Sequence, residues 1–565
     1  MNTNKRTAIY LSLASALALG SAQAHAQVGN TSQGNLALDS MTTGSYNSAF
    51  GEEALRLNTT GNYNTALGAF SLTSNIEGLE NTAFGAQSLF SNTAACCNMA
   101  VGFQSLYSNV DGIGNTANGN QSLYSNTSGT YNTAQGLTTL YYNTTGNQNT
   151  AIGVGALWAN TTGSDNTASG ARALESNTTG EFNTASGSYS LLANTTGGSN
   201  VASGAFSLGS NTTGDSNVAI GVFALGANST GIRNVANGAF SLFANTTGYD
   251  NTATGYLALG SNTTGNDNSA LGDKALFAST TARFNSAVGS GTMERTTTGS
   301  FNNAVGANAM ASNTTGNNNS AQGHAALFSL TTGSRNVALG NLAGYSIQAG
   351  SRNIFIGQEA GYNETGNNRL YISNNQTTPL LFGVLSEDPN RNKLGIGTQT
   401  VAASQAINVW NGAHLTTGGV WTNASSRELK DNIEALSAED ANAALEGLSP
   451  VRYVYKNSRD EEYVGFIAED VPELVASQDH KSLSPMDIVA VLTTVAKTEK
   501  ARIAELAAAS AEQEANLANK DAEIAVLRDS LLKQEDRLLQ LEMALLAVQR
   551  AQSPVDQVSM ANAQP

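Results

Sequence analysis

The sequence predicts a mainly β fold: a parallel β-solenoid (β-roll) rod with a 17-residue repeat, a β neck, a small α+β domain and a long coiled-coil helix. Three observations predict it. Asn-x-Ala-x-Gly units recur every 17 residues from Asn47 to Asn353, the composition is rich in Gly and poor in charge, and the last third switches to a helical heptad pattern.

The repeat is strict. The units begin at Asn47, Asn64, Asn81 and so on to Asn336 and a degenerate Asn353, eighteen steps of 17 and hence nineteen units, with no insertion or deletion. One extra residue would shift every later side chain out of register, so a period this rigid signals stacked coils. Ala recurs at the third place and Leu at the ninth, with Asn, Thr and Gly at the corners. Two short strands joined by tight turns fit one such coil, and Gly at corners supplies the positive φ of turns. Helix is a poor alternative, because Gly and Asn-Thr-Thr-Gly would interrupt it every turn or two. Stacked Asn side chains bonding each other and the turn amides explain why Asn repeats at two fixed places.

Aromatics appear in the tenth place of successive coils: Phe90, Tyr107, Tyr124, Tyr141 and Trp158. Such a ladder is either a binding platform for a sugar or apolar surface, or packing within or between chains. A coil that buries little beyond one Ala and one Leu is thin against the entropy of ordering 17 residues, so association of several chains is expected.

Composition bounds the rest. The chain has 565 residues, 57 of them Gly, 12% charged residues and a formal net charge of −16, which leaves no basic surface for nucleic acid. Lys5 and Arg6, an apolar stretch from Ala8 to Leu19 and a small-residue end at Ala24-His25-Ala26 read as a cleaved secretory signal over 1–26, so a protein secreted from, or held at the surface of, a bacterium is expected. No later apolar run is long enough for a transmembrane helix. Cys96 and Cys97 are adjacent and are the only cysteines, either two thiols in one loop, a strained disulfide of neighbours, or a bridge between chains. No metal site and no cofactor are expected, since no ligand spacing accompanies His414 or His480. Glu469-Asp470 reads as an acidic pair capping a helix at Val471.

The remaining boundaries follow from shifts in pattern. Residues 27–46 are an N-terminal segment, 47–367 the rod, and 368–424 a neck of short strands around Arg369–Ser373, Pro379–Gly383 and Lys393–Thr398. Residues 425–496 form an α+β module with a helix near 437–447 and strands Val451–Lys456 and Glu462–Ala468. Residues 497–550 are the coiled coil, with a seam at Ile503, Leu506, Leu517, Ile524, Leu527, Leu531, Leu538, Leu541, Leu545 and Val548, and 551–565 a polar tail.

Two resemblances give these segments expected roles. The repeat resembles the head domains of trimeric autotransporter adhesins, whose shorter coils carry a similar S/N-x-A-x-G signature, and this implies a homotrimer with an attachment role toward a surface glycan or host-surface ligand. The segments Ser425–Lys430, Leu448–Tyr455 and Tyr463–Pro472, with the coiled-coil end, resemble the C-terminal intramolecular chaperone of endosialidases and phage tail spikes, a self-cleaving peptidase family. The resemblance implies Ser425 as nucleophile, Lys430 as base, and cleavage between Ala424 and Ser425 in a single turnover. Ser426 stands where that family commonly has Asp.

Chemically, Ser425 Oγ can attack the preceding carbonyl and convert the peptide to an ester that water opens, with a neutral lysine amine taking the hydroxyl proton. Competing classes are a non-enzymatic ice- or carbohydrate-binding solenoid, against which neighbouring threonines would point to opposite faces, and a phage-derived tail fibre, against which stands the secretory signal. The coils offer almost no paired carboxylates for glycoside hydrolysis.

Overall fold

The computed structural model describes residues 28–422, 425 and 427–551. The expected signal segment 1–26, Ala424 and nearly all of the polar tail lie outside the described residues. The chain divides into two compact units between residues 424 and 425.

The first unit is a β-solenoid of stacked 17-residue coils. Each coil contributes one three-residue strand, from β1 (Thr31–Gln33) to β20 (Ile354–Ile356), and neighbours pair in parallel at a constant offset, as in Ala49↔Ala66 and Ala185↔Ala202. The expectation of two strands per coil is corrected: the return path is a chain of turns. In the coil 64–80, Phe70, Leu72 and Glu80 all have positive φ (61°, 48° and 57°) although none is glycine. This left-handed conformation costs a residue with a side chain about 1–2 kcal/mol. Hydrogen bonds between coils hold it: Phe70 N and Glu80 N donate to carbonyls of the preceding coil, and Leu72 N to Ser88 O of the following one (2.8, 3.0 and 2.9 Å).

The glycines divide by role. Gly68, at the fifth place, has φ 137°, whereas Gly61 in Asn-Thr-Thr-Gly does not have positive φ and is required by space. A Cβ there would lie 2.3 Å from Gly78 O and 2.4 Å from Asn58 Oδ1.

The interior holds more than Ala and Leu. The third-place Ala, ninth-place Leu, both Asn columns and the eighth-place Ser, Thr or Ala are fully buried along nearly the whole rod. Asn64 is typical of the first Asn column: its Nδ2 donates to Asn47 Oδ1 (3.1 Å) and Gly78 O (2.7 Å), and its backbone N–H donates to the same Asn47 Oδ1 (2.9 Å). In the second column Asn75 Nδ2 donates to Asn58 Oδ1 (2.7 Å) and Gly78 O (3.0 Å). Buried polar groups are stable only when so paired.

Among the described residues the stack extends one coil before Asn47. Thr31–Gln33 pairs with Ser48–Phe50, and Asn47 N donates to Asn30 Oδ1 (2.7 Å). Ser32 and Met41 replace the usual Ala and second Asn, which disguises this coil in the sequence.

At the other end β21 (Arg369–Ile372) continues the parallel register from β20, and β22 (Leu381–Val384) then pairs with it antiparallel. Phe355, Tyr371 and Phe382 fill the end of the interior where the small-residue columns stop. Tyr371 donates to Glu364 Oε2 (2.8 Å), and burial first, then this bond, raise its pKa well above the phenol range. The neck goes on through β23 (Lys393–Ile396), β24 (Gln405–Val409), β25 (His414–Thr416) and β26 (Trp421–Thr422).

The second unit contains α1 (Ala438–Glu446), a hairpin of β27 (Val451–Tyr455) and β28 (Ser458–Gly465), and α2 (Pro485–Arg550). Ser437 caps α1 by accepting from Asp440 N (3.0 Å). The hairpin turn is only Lys456-Asn457, so β28 starts earlier than expected. No helix starts at Val471: Glu469-Asp470 end a short 3₁₀ turn, Ala468–Asp470, whose C-cap is Val471 with extended backbone. Ala441, Ala444, Val471, Val475 and Val491 form the small core. Among the described residues no helix is long and apolar enough to cross a membrane.

Candidate functional site

The N-terminal edge of the second unit carries the expected serine and lysine. A 3₁₀ turn over Arg427–Leu429, closed by Lys430 N donating to Arg427 O (3.2 Å), folds the chain back on itself. That single turn sets residues five apart side by side, and Lys430 Nζ donates to Ser425 Oγ at 3.1 Å. The distance lies within the reach a base needs to take a hydroxyl proton. Both residues are exposed in the single chain. A lysine acts as a base only after losing its own proton, and removal of the ammonium from water favours that loss.

Long helix α2 leaves its apolar seam uncovered. Ile503 and Leu506 are 64% and 63% exposed, and Leu527, Leu541 and Leu545 are as open, whereas Val491 alone is buried along the helix. The tyrosines Tyr453, Tyr455 and Tyr463 cluster on the hairpin with ring centroids 5.3–6.0 Å apart.

On the rod, Phe90, Tyr107, Tyr124 and Tyr141 stack face to face at 5.1, 5.1 and 5.0 Å, and Trp158 continues the column at 6.4 Å. Two further ladders lie outside these five residues, since Glu175, Leu192, Gly209 and Gly226 interrupt the tenth-place column. Phe328, Tyr345 and Tyr362 resume that column at 5.2 and 4.9 Å. Tyr189, Phe206, Phe223 and Phe240 form another at the seventh place, at 4.8, 5.0 and 5.4 Å. Both carry the same spacing of 17 in the sequence.

Cys96 and Cys97 are free thiols, with Cys97 Sγ donating to Cys96 Sγ at 2.9 Å. That bond, with burial second, pushes the Cys97 thiol up to about 11.

No curated protein and no solved structure matches the chain. The second unit, which begins at Ser425, does find a family: residues 425–479 match the model described as the chaperone of endosialidase, and this segment is a domain of that kind.

Proposed function

We propose that this protein is a secreted, trimeric attachment fibre whose C-terminal unit aligns three chains and then releases itself by cutting between Ala424 and Ser425. The single observation that carries this reading is the 3.1 Å contact of Lys430 Nζ with Ser425 Oγ, at the first residue of an endosialidase-chaperone domain.

Two carbons, Cα and Cβ, separate the Ser425 hydroxyl oxygen from its own amide nitrogen, so its attack on the preceding carbonyl closes a five-membered ring. Attack on the carbonyl before it breaks the C–N bond and forms an ester to Oγ, with the Oγ proton passing to Lys430 and on to the departing amine. Water then opens the ester, leaving a carboxylate on one fragment and the free Ser425 hydroxyl on the other. The lysine is exposed in one chain, so the surface that desolvates it comes from the neighbouring copies, and cutting follows assembly. The uncovered seam of α2 supplies the contact that gathers the copies. Once the chaperone is gone the fibre cannot easily refold, which makes its stability kinetic. The signal segment directs export, and the half-buried aromatic ladder from Phe90 to Trp158 offers its open ring edges to a glycan or other ligand.

Sedimentation of full-length Ser425→Ala protein tests the assembly step. Three chains per particle are expected, falling to one when Leu527 and Leu531 are both changed to Lys. A folded single chain in the parent protein would overturn the reading.

A further inference from the structure

We propose that the outward face of the parallel sheet, the second and fourth places of each coil, is the surface along which copies of this chain pack against one another in the rod. The proposal rests on the three-chain reading above and says where those chains touch.

This face carries no charge along the rod. Across the nineteen coils from Asn47 to Asn353, the second and fourth places hold no Asp, Glu, Lys, Arg or His. The seventh place carries Glu53, Arg172, Lys274 and Glu359, and the seventeenth Glu80, Asp165, Arg233 and Asp250. A chain of net charge −16 repels a second copy of itself, and a long strip without charge lets identical chains approach without that cost.

The face is also open, and mixes apolar side chains with Ser, Thr, Asn and Gln. Leu67 and Leu271 are each 50% exposed, and Ile152, Val201, Ile220 and Val235 are uncovered beside Ser and Thr. Because each strand is hydrogen-bonded to the coils before and after it, the face offers side chains rather than a free strand edge. Its natural occupant is therefore another sheet face. Three residues across and nineteen coils long, it measures about 10 Å by 90 Å, or roughly 900 Å² per copy, which a trimer shares between two neighbours. Identical periods set like coils of parallel copies at like heights, so one match of shape repeats along the strip. The aromatic stacks stand at the seventh, tenth and seventeenth places, in columns of their own.

Cross-linking of the full-length chain tests the face. Cys96 and Cys97 are first changed to Ser, Ser425 to Ala, and a single cysteine is then placed either by Ser203→Cys, at the fourth place, or by Thr213→Cys, at the exposed fourteenth place of the same coil. Both sites are exposed, and matching circular dichroism with the parent establishes that each variant folds. With a short bismaleimide, Ser203→Cys should give linked dimers and trimers at least fivefold above Thr213→Cys. If the protein sediments as a trimer but Thr213→Cys links as well or better, or Ser203→Cys does not link, the face is wrong while the assembly reading stands. Sedimentation as a monomer overturns both.

Discussion

Asn262 Oδ1 and Ser279 Oγ, at the same place in consecutive coils, are both buried and both without a hydrogen-bond partner. Elsewhere in this column the next asparagine donates to the one before, as Asn262 itself does to Asn245 Oδ1 at 2.8 Å. Serine is too short to reach back, so the ladder breaks at Ser279 and resumes only where Asn313 donates to Thr296 Oγ1 at 3.3 Å.

Ser279→Asn should therefore stabilise the rod. It gives Asn262 Oδ1 a donor and removes an orphaned hydroxyl, and each buried unpaired group costs about 1–3 kcal/mol. Thermal denaturation should show a higher unfolding temperature than wild type, and an unchanged or lower one would refute the account of the gap.

The converse change, Asn183→Ala, should destabilise. Asn183 Oδ1 accepts from Asn200 N (3.0 Å) and Nδ2 (3.2 Å), while its own Nδ2 donates to Asn166 Oδ1 (3.1 Å) and Gly197 O (2.9 Å). Alanine leaves the buried Asn200 N–H without an acceptor, at a cost of about 1–3 kcal/mol, while Asn166 Oδ1, Gly197 O and Asn200 Nδ2 each keep one other partner. Denaturant unfolding of the purified variant measures it.

Deleting one whole unit, 166–182, should leave the folded rod and its β circular dichroism intact, because Thr167↔Thr184 and Thr184↔Val201 are equivalent pairings. Removing five residues from the same place throws every later Asn, Ala and Leu out of its column and should abolish the folded rod. Equal tolerance of both deletions would contradict the stacked coils.

Cys97 should resist alkylation at neutral pH. With its thiol pushed up to about 11, the group stays protonated and little of the reactive thiolate is present at pH 8. Cys96→Ser replaces the thiol whose hydrogen bond is the largest cause of that rise, so iodoacetamide should modify Cys97 faster at pH 8 in the variant. Equal rates would show that the pair does not govern the thiol.

The columns of the rod were legible because a period of 17 puts each residue type at one depth, so the buried Ala, Leu and Asn could be read directly. The single strand per coil was not, since Phe70, Leu72 and Glu80 have no preference for left-handed backbone and take it only when bonds to adjacent coils compensate. The coil at Asn30 was hidden by Ser32 and Met41. In the C-terminal unit the hairpin and helices followed local pattern, and the closeness of Ser425 and Lys430 depends on the one 3₁₀ turn between them. Leu506 and Leu527 are uncovered in the single chain, and the heptad pattern behind the proposed self-association does not give a number of chains.

The most direct measurement of the central claim is the mass and N-terminal sequence of the fragments formed by purified full-length protein at pH 7–8. The account predicts a C-terminal fragment of 141 residues starting at Ser425, which is 565 − 425 + 1. Ser425→Ala removes the nucleophile and Lys430→Ala the base, so each should stay uncut while still sedimenting as a trimer. Wild-type protein that remains whole after assembly, or cleavage that persists in Ser425→Ala, would contradict it.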